Sequence, residues 1–210
     1  MNNKELLKRY YRDEQVTRGY DKQREGTEYR KMKRKEELNL FLSLLNKKKN
    51  DKVLELGCSS GFLTKELGEV TAIDTSKEML KITKRKNPKA KVLEADMFEL
   101  PFKANSFDKV VTMRVWNHLN TQDLFLALEE AKRVLKKRGV LVFDMEEEDI
   151  LRKIVNFFYK KMFGIKGFKV YQYSFDKIFS ILDFFGFEIE QARYLEHRIG
   201  KQIIIKAIKH

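Results

Sequence analysis

The chain has 210 residues, 42% of them hydrophobic and 36% charged, which is enough to bury a full core in one elaborated domain. A single cysteine, Cys58, excludes an internal disulfide, and the three histidines form no cluster at zinc spacing, so no metal is expected and a reducing, cytoplasmic setting is. The net charge of +13 is uneven: residues 1–50 carry +7, residues 51–150 carry −1 and residues 151–210 carry +7, so the basic excess lies in the two flanks. No apolar run reaches the roughly 20 residues of a membrane span, the first residues lack the apolar stretch of a signal peptide, and the wealth of Lys and Glu is thermophile-like.

Residues 3–45 hold no proline and carry apolar or aromatic residues at helical spacing, which predicts two helices broken near Gly19. The second, from Glu28 through Leu45, turns amphipathic at its end, and Lys47 to Lys49 follow as a basic helix end suited to the dipole. Tyr20 and Arg24 stand where a helical arm can reach over a ligand; they also read as ordinary surface residues.

From Asp51 onward strands and helices alternate, the pattern of a parallel sheet with helices on both faces. Strand one, Lys52 to Leu56, runs into Gly57-Cys58-Ser59-Ser60-Gly61 and a helix that ends near Gly68. Strand two, Val70 to Ile73, leads to Asp74; Thr75 and Glu78 have the spacing of a capping box, so Thr75 is expected to cap the helix carrying Met79. Strand three is Lys91 to Glu94. Strand four, Phe107 to Met113, runs into Arg114-Val115-Trp116-Asn117-His118, and a helix follows from Asn120 to Leu135, closing with Lys136-Lys137-Arg138-Gly139. Strand five is Val140 to Met145, and the acidic run Glu146 to Asp149 reads as the first turn of another helix.

The stretch Glu55 to Gly61 is the chemical centre of this pattern. Glycines four apart let backbone pass close to a ligand, and the helix start beyond them offers unpaired N–H groups. Asp74, 17 residues after Gly57 at the carboxyl end of the next strand, can accept hydrogen bonds from the vicinal hydroxyls of a ribose. Ser59 and Phe62 stand where a dinucleotide fingerprint needs glycine, and no Lys-Ser or Lys-Thr pair follows, which argues against nicotinamide cofactors and excludes a triphosphate loop.

These residues resemble the class I S-adenosylmethionine-dependent methyltransferases, in the group that includes ubiquinone and menaquinone methyltransferases. The resemblance covers roughly residues 50–146 and rests on Glu55-x-Gly57 with Gly61, Asp74 closing strand two, Asp96-Met97 after strand three, Phe107-Asp108 opening strand four and Arg133-Val134-Leu135 before strand five. Two departures stand out: Ser59 replaces a usual glycine, and Lys137-Arg138-Gly139 replaces a Pro-Gly-Gly turn. The resemblance implies S-adenosylmethionine as cofactor. Glu55 would order the loop or meet the cofactor's amino acid end, backbone at Gly57, Cys58 and Ser59 would flank its methionine part, and Asp74 would hold the ribose. Thr75 and Met79 would border the adenine, Asp96 would accept from its amino group with Met97 supplying a backbone donor, and Met113, Arg114 and Val115 would lie over the reacting centre. His118 is the candidate general base by position, with a structural histidine as the alternative.

The last third sets the acceptor. Residues 151–187 gather phenylalanines and tyrosines interleaved with lysines and arginines. An apolar cap over a lipidic or aromatic acceptor, a basic helix on a membrane surface and stacking platforms for single-stranded RNA all fit, beside a helical core packed on the sheet. Phe187 to Ala192 and Gln202 to Ile208 read as the final strands, an edge hairpin. The expected architecture is a Rossmann-like, seven-stranded α/β sheet of order 3-2-1-4-5-7-6 with strand seven antiparallel. Residues 1–50 form a helical amino-terminal arm, 51–146 the cofactor core, 147–186 a helical substrate-side cap and 187–210 the last strands. The expected function is methyl transfer from S-adenosylmethionine to a small, partly apolar or anionic acceptor. An RNA (tRNA) methyltransferase and a non-catalytic S-adenosylmethionine-binding protein are the alternatives; no oligomeric state follows from the sequence.

Overall fold

The computed structural model describes residues 3–147, 169–196 and 200–210. Three helices open the chain: α1 (Asn3–Tyr11), α2 (Glu14–Arg24) and α3 (Glu28–Leu45). The expected break at Gly19 is absent, because an isolated glycine costs a helix only about 1 kcal/mol. The chain breaks instead at Arg12–Asp13 and at Glu25–Thr27, where the Thr27 side chain accepts from Arg30 N–H and starts α3. Nor is α3 closed by Lys47 to Lys49, since its last turn has no basic residue of its own. Lys109, buried in the fourth strand, donates to the carbonyls of Leu45 at 2.6 Å and Asn46 at 2.8 Å and lies 3.2 Å from Asp51.

The sheet then alternates with helices: β1 (Val53–Leu56), α4 (Phe62–Leu67), β2 (Thr71–Asp74), α5 (Lys77–Lys86), β3 (Lys91–Glu94), β4 (Phe107–Thr112), α6 (Thr121–Val134) and β5 (Leu135–Glu147). After the undescribed residues come β6 (Gln172–Tyr173), α7 (Phe175–Phe184), β7 (Phe187–Glu196) and β8 (Lys201–Lys209). The spatial order is β3-β2-β1-β4-β5-β8-β7, which is the expected order once the short β6 is counted. β1 to β5 pair in parallel, and β8 is antiparallel to both of its neighbours. β8 is therefore an interior strand, and β7 alone forms that edge.

Burial follows the period of two along the strands. Val110, Leu141, Phe143, Ile203 and Ile205 face one layer, with Trp116, Leu128 and the Ile178, Ile181 and Leu182 face of α7. Val111, Val142 and Ile204 face the other, under Leu38, Phe41 and Leu45 of α3. α7 thus packs on the sheet. The aromatic-rich stretch before it, and most of the expected cap, lies outside the described residues.

Three local readings change. Ser76, not Thr75, caps α5, its side chain accepting from Met79 N–H. Leu135 already pairs with Phe107, so α6 gives way to β5 one residue early, and a register shift carries the strand to Val140 opposite Lys109. Glu146 and Glu147 do not open a helix: they extend β5 and pair with Gln172 and Tyr173 of β6, on the edge left free where β4 stops.

The Lys109 clasp supplies a test. Lys109→Met removes the donor that satisfies two carbonyls at the end of α3, and should lower the unfolding free energy by about 2 kcal/mol, read from denaturant midpoints. An unchanged midpoint would refute its role as the closing group of α3.

Candidate functional site

The site is built at the carboxyl ends of β1, β2, β3 and β4. Past Leu56 the chain turns through Gly57 at φ 71° and reaches Gly61 at φ 80°. A Cβ on Gly57 would stand 2.7 Å from Val115 Cγ2, and one on Gly61 only 2.4 Å from Asn87 Nδ2, so the loop packs too tightly for any larger residue. The N–H groups of Gly57 and Cys58 both donate to the Ile73 carbonyl at 2.9 Å, which ties the loop to β2.

Ser59 occupies the left-handed region at φ 48°, a conformation that costs a non-glycine residue roughly 1–2 kcal/mol. Three contacts hold it there. Its N–H donates to Asp74 Oδ2 at 2.9 Å, its hydroxyl lies 3.7 Å from Met79 Sδ, and its carbonyl accepts from the Thr83 hydroxyl. The other oxygen of Asp74 accepts from Ser76 N–H at 2.9 Å. Burial pushes the Asp74 carboxyl up from its ordinary value while the backbone N–H groups of Ser76, Ser59 and Thr75 pull it back. The Thr75 backbone N–H is a third donor to it, and since a carboxylate has about four acceptor positions, one remains for a ligand.

Glu55 lies under the loop, buried, with Oε2 accepting from the Thr64 hydroxyl of α4 at 2.7 Å. Burial raises its carboxyl to about 8, so it keeps its proton at neutral pH. The Cys58 thiol is buried too and raised well above its usual value by burial, then by Glu55 and Asp74, which makes it an inert thiol.

Two adjoining cavities open over this edge. The inner one, about 140 Å³, is lined by Ile73, Asp74, Thr75, Met79, Asp96, Met97 and Phe98 and floored by Gly57 and Ser59. The outer one, about 790 Å³, takes in Glu55, Cys58, Tyr20 and Arg24. Tyr11, Tyr20, Gly57, Ser59, Met113, Arg114 and His118 belong to both, and Val115 lines the inner. Of the residues singled out from sequence, only Gly61 lines neither: it is packed beneath the loop against Thr83 and Asn87. Lys8 was not foreseen. It reaches from α1 to Asp96 Oδ2 at 2.8 Å, while Asp96 Oδ1 accepts from Phe98 N–H. The arm is fastened further by the Ser76 hydroxyl donating to the Tyr11 carbonyl, and by Ser60 donating to Asp21 at 2.6 Å with Lys86 paired to the same carboxylate.

At the end of β4 a buried polar cluster also escaped the sequence reading. Arg114 has φ 59°; its N–H donates to Asp144 Oδ1 at 2.6 Å, and its guanidinium grips Glu37 of α3 through Nε at 2.8 Å and Nη2 at 2.7 Å. Gln202 of β8 donates to Glu37 Oε1 at 2.5 Å and to Asp144 Oδ2 at 2.7 Å. Burial works against the Arg114 charge, but the Glu37 carboxylate more than offsets it and raises the guanidinium's pKa, whereas burial and Glu37 push Asp144 up to about 7.

His118 sits on a short 3₁₀ turn (Trp116–His118). Its ring bonds to the Lys169 backbone, and its Nδ1 is buried without a partner among the described residues. Burial lowers its pKa below the ordinary value, so the imidazole is neutral at pH 7. Asn3 steadies this corner, donating to the carbonyls of His118 at 2.8 Å and Lys169 at 3.1 Å. No set of three metal-ligating side chains occurs among the described residues.

Residues 54–143 match a family described as a methyltransferase domain. An uncharacterized protein of Methanocaldococcus jannaschii is 36% identical over 142 residues, 64% of this chain and 60% of its own length. A demethylmenaquinone methyltransferase of Staphylococcus aureus is 38% identical over 105 residues, covering 45% of this chain and 43% of the relative. The chain therefore spans three fifths or less of these two relatives. Among solved structures, magnesium protoporphyrin IX methyltransferase from Synechocystis with bound SAH superposes with a TM-score of 0.79 at 17% identity, covering 99% of this chain and 100% of that one, which is a likeness of fold. Over residues 54–143, its β1-to-β5 core, this chain is similar to methyltransferase domains in sequence, and it shares the fold of solved methyltransferases.

Proposed function

We propose that the protein transfers the methyl group of S-adenosylmethionine to a small-molecule acceptor. The observation that carries this reading is the Asp74 carboxylate: it already fixes the left-handed Ser59 turn, has acceptor capacity to spare, and faces the same cavity as Asp96. The residues fit the cofactor. Gly57 forms a cradle that a Cβ would fill, and the orphaned Nδ1 of His118 belongs to a residue on the same walls. Asp74 would hold the ribose, Asp96 and Met97 the adenine beside Thr75 and Met79, and Gly57, Cys58 and Ser59 the methionine part, with Tyr20 and Arg24 above them. Glu55 would act through Thr64 by fixing the start of α4.

When bound, S-adenosylmethionine supplies an activated methyl on a sulfonium, so the protein's task is mainly alignment and exclusion of water. Met113 and Arg114, which line both cavities, border the place where the acceptor would lie, with Val115 on the inner side of it. His118, neutral and with one nitrogen unpaired, would take a proton from the acceptor's nucleophilic atom. The curated relative named for demethylmenaquinone and the structural neighbour named for magnesium protoporphyrin IX both act on small organic molecules by their names, which favours a small acceptor over RNA. No helix among the described residues is long and apolar enough to cross a membrane.

Three outcomes are expected. In calorimetry with S-adenosylhomocysteine, Asp74→Ala should bind at least about tenfold more weakly than wild type, with Asp74→Asn in between; equal binding would defeat the ribose assignment. With methyl-labelled cofactor and cell extract, label should enter the small-molecule fraction; label in RNA would overturn that acceptor class, and no transfer would favour a non-catalytic binder. The turnover number should fall as pH drops through a midpoint below the ordinary histidine value. His118→Asn should remove that limb and slow turnover by about 10²-fold or more, whereas an unchanged rate would leave His118 a structural residue.

A further inference from the structure

The outer cavity is lined by more cations than anions. Arg24 from α2, Arg30, Lys33 and Arg34 from α3 and Arg114 from the end of β4 all line it. Two carboxyl groups stand on the same walls: Glu37, engaged by Arg114, and Glu55, which keeps its proton near neutrality. Lys33 and Arg34 have rim partners, Glu36 at 2.8 Å and Glu25 at 2.7 Å. Arg24 and Arg114 differ from these.

Arg24 lies over the Tyr20 ring, 5.2 Å from its centroid, and hydrogen-bonds to Tyr11; no carboxylate among the described residues pairs with it. Asp21, one turn earlier on the same helix, accepts from Ser60 and so sets Arg24 beside the loop. Arg114 is held from behind. Glu37 takes its Nε and Nη2, Gln202 fixes Glu37, and the Nη1 edge has no partner among the described residues on a side chain that is still 39% exposed. Glu146 lies near enough to add to the field at Arg114 without lining the cavity. A guanidinium pinned on one side by a buried carboxylate presents its other edge in fixed geometry, the arrangement suited to a planar or tetrahedral anion.

Resting on the methyltransferase reading, the charge balance is informative. S-adenosylmethionine brings a sulfonium, an ammonium and one carboxylate, a net single positive charge. Its carboxylate satisfies one arginine, for which Arg24 beside the loop is placed, and leaves Arg114 facing a cationic cofactor. At about 790 Å³ the cavity lies in the range of small-molecule sites, and the rings of Tyr11, Tyr20 and Tyr29 give it flat walls.

We propose that the part of the outer cavity beyond the cofactor's methionine end, between Arg114 and the α3 wall, is the acceptor site and selects an aromatic anion, a carboxylate or a phosphate monoester, anchored by the free edge of Arg114.

Calorimetry on protein saturated with S-adenosylhomocysteine tests this. The probes are para-hydroxybenzoate against para-hydroxybenzamide, phenyl phosphate against phenol, and tyramine as the cationic control. At least one anion should bind about tenfold or more tightly than its neutral partner, and whichever pair shows the larger ratio separates carboxylate from phosphate recognition. Arg114→Gln should bring that ratio below about threefold and leave S-adenosylhomocysteine affinity within the same margin, while Arg114→Lys recovers part of the preference. Equal binding of anion and neutral partner, preference for tyramine, or no binding of either anion would overturn the assignment while leaving the cofactor reading intact. Loss of S-adenosylhomocysteine affinity in Arg114→Gln equal to the loss for the anion would move Arg114 to the cofactor. The wild-type comparison needs no variant, so it decides the charge preference even if Arg114→Gln fails to fold. Failure of wild-type protein to bind S-adenosylhomocysteine at all would instead defeat the methyltransferase reading itself.

Discussion

One carboxylate, that of Asp74, sets the geometry of the whole carboxyl edge. Its two oxygens accept from Ser59 on one side and Ser76 on the other, so the turn after β1 and the start of α5 have a common anchor. Ser76 in turn caps α5 and donates to the Tyr11 carbonyl, which hangs α1 on the same point. The left-handed Ser59 is a consequence: a serine accepts that conformation because its N–H, hydroxyl and carbonyl all find partners in β2 and α5. The usual glycine would avoid the strain but lose the hydroxyl contact with Met79.

A second constraint operates at the ends of β4 and β5. Glu37, Asp144 and Gln202 are all buried at the end of β5 and β8, where a hydrophobic trio would be at least as stable. What the polar set does is orient Arg114, whose backbone takes a left-handed conformation because Asp144 accepts its N–H. Two left-handed non-glycine residues, Ser59 and Arg114, line both cavities.

Elements whose signals are local were largely legible in the sequence. Strand three and the Asn120 cap of α6 agree with the structure, because alternation and capping are local signals. Thr75 was credited with a cap that belongs to Ser76, a one-residue ambiguity that only the Asp74 hydrogen bond resolves. Lys47 to Lys49 were expected to close α3, and a lysine some 60 residues away does so, an interaction without a sequence signature. The pair Arg114 and Glu37 is separated by 77 residues and the pair Gln202 and Glu37 by 165, so neither periodicity nor spacing could join them. The arm lies between these extremes: Tyr20 and Arg24 stand at positions that can reach over a ligand, whereas Lys8 meeting Asp96 across 88 residues has no local signal. Its tyrosines and arginines recur at helical spacing and were visible; the surface they face was not.

The position of β8 bears on how the chain assembles. β7 is made before β8 yet reaches the sheet only through it, so β5 keeps an open edge from Val140 to Glu146 until the last strand has formed. That edge is flanked by apolar residues and pairs over about 60 residues of intervening chain, the kind of long-range closure that is slow. Until the β7–β8 hairpin docks, that unprotected edge is available to another chain.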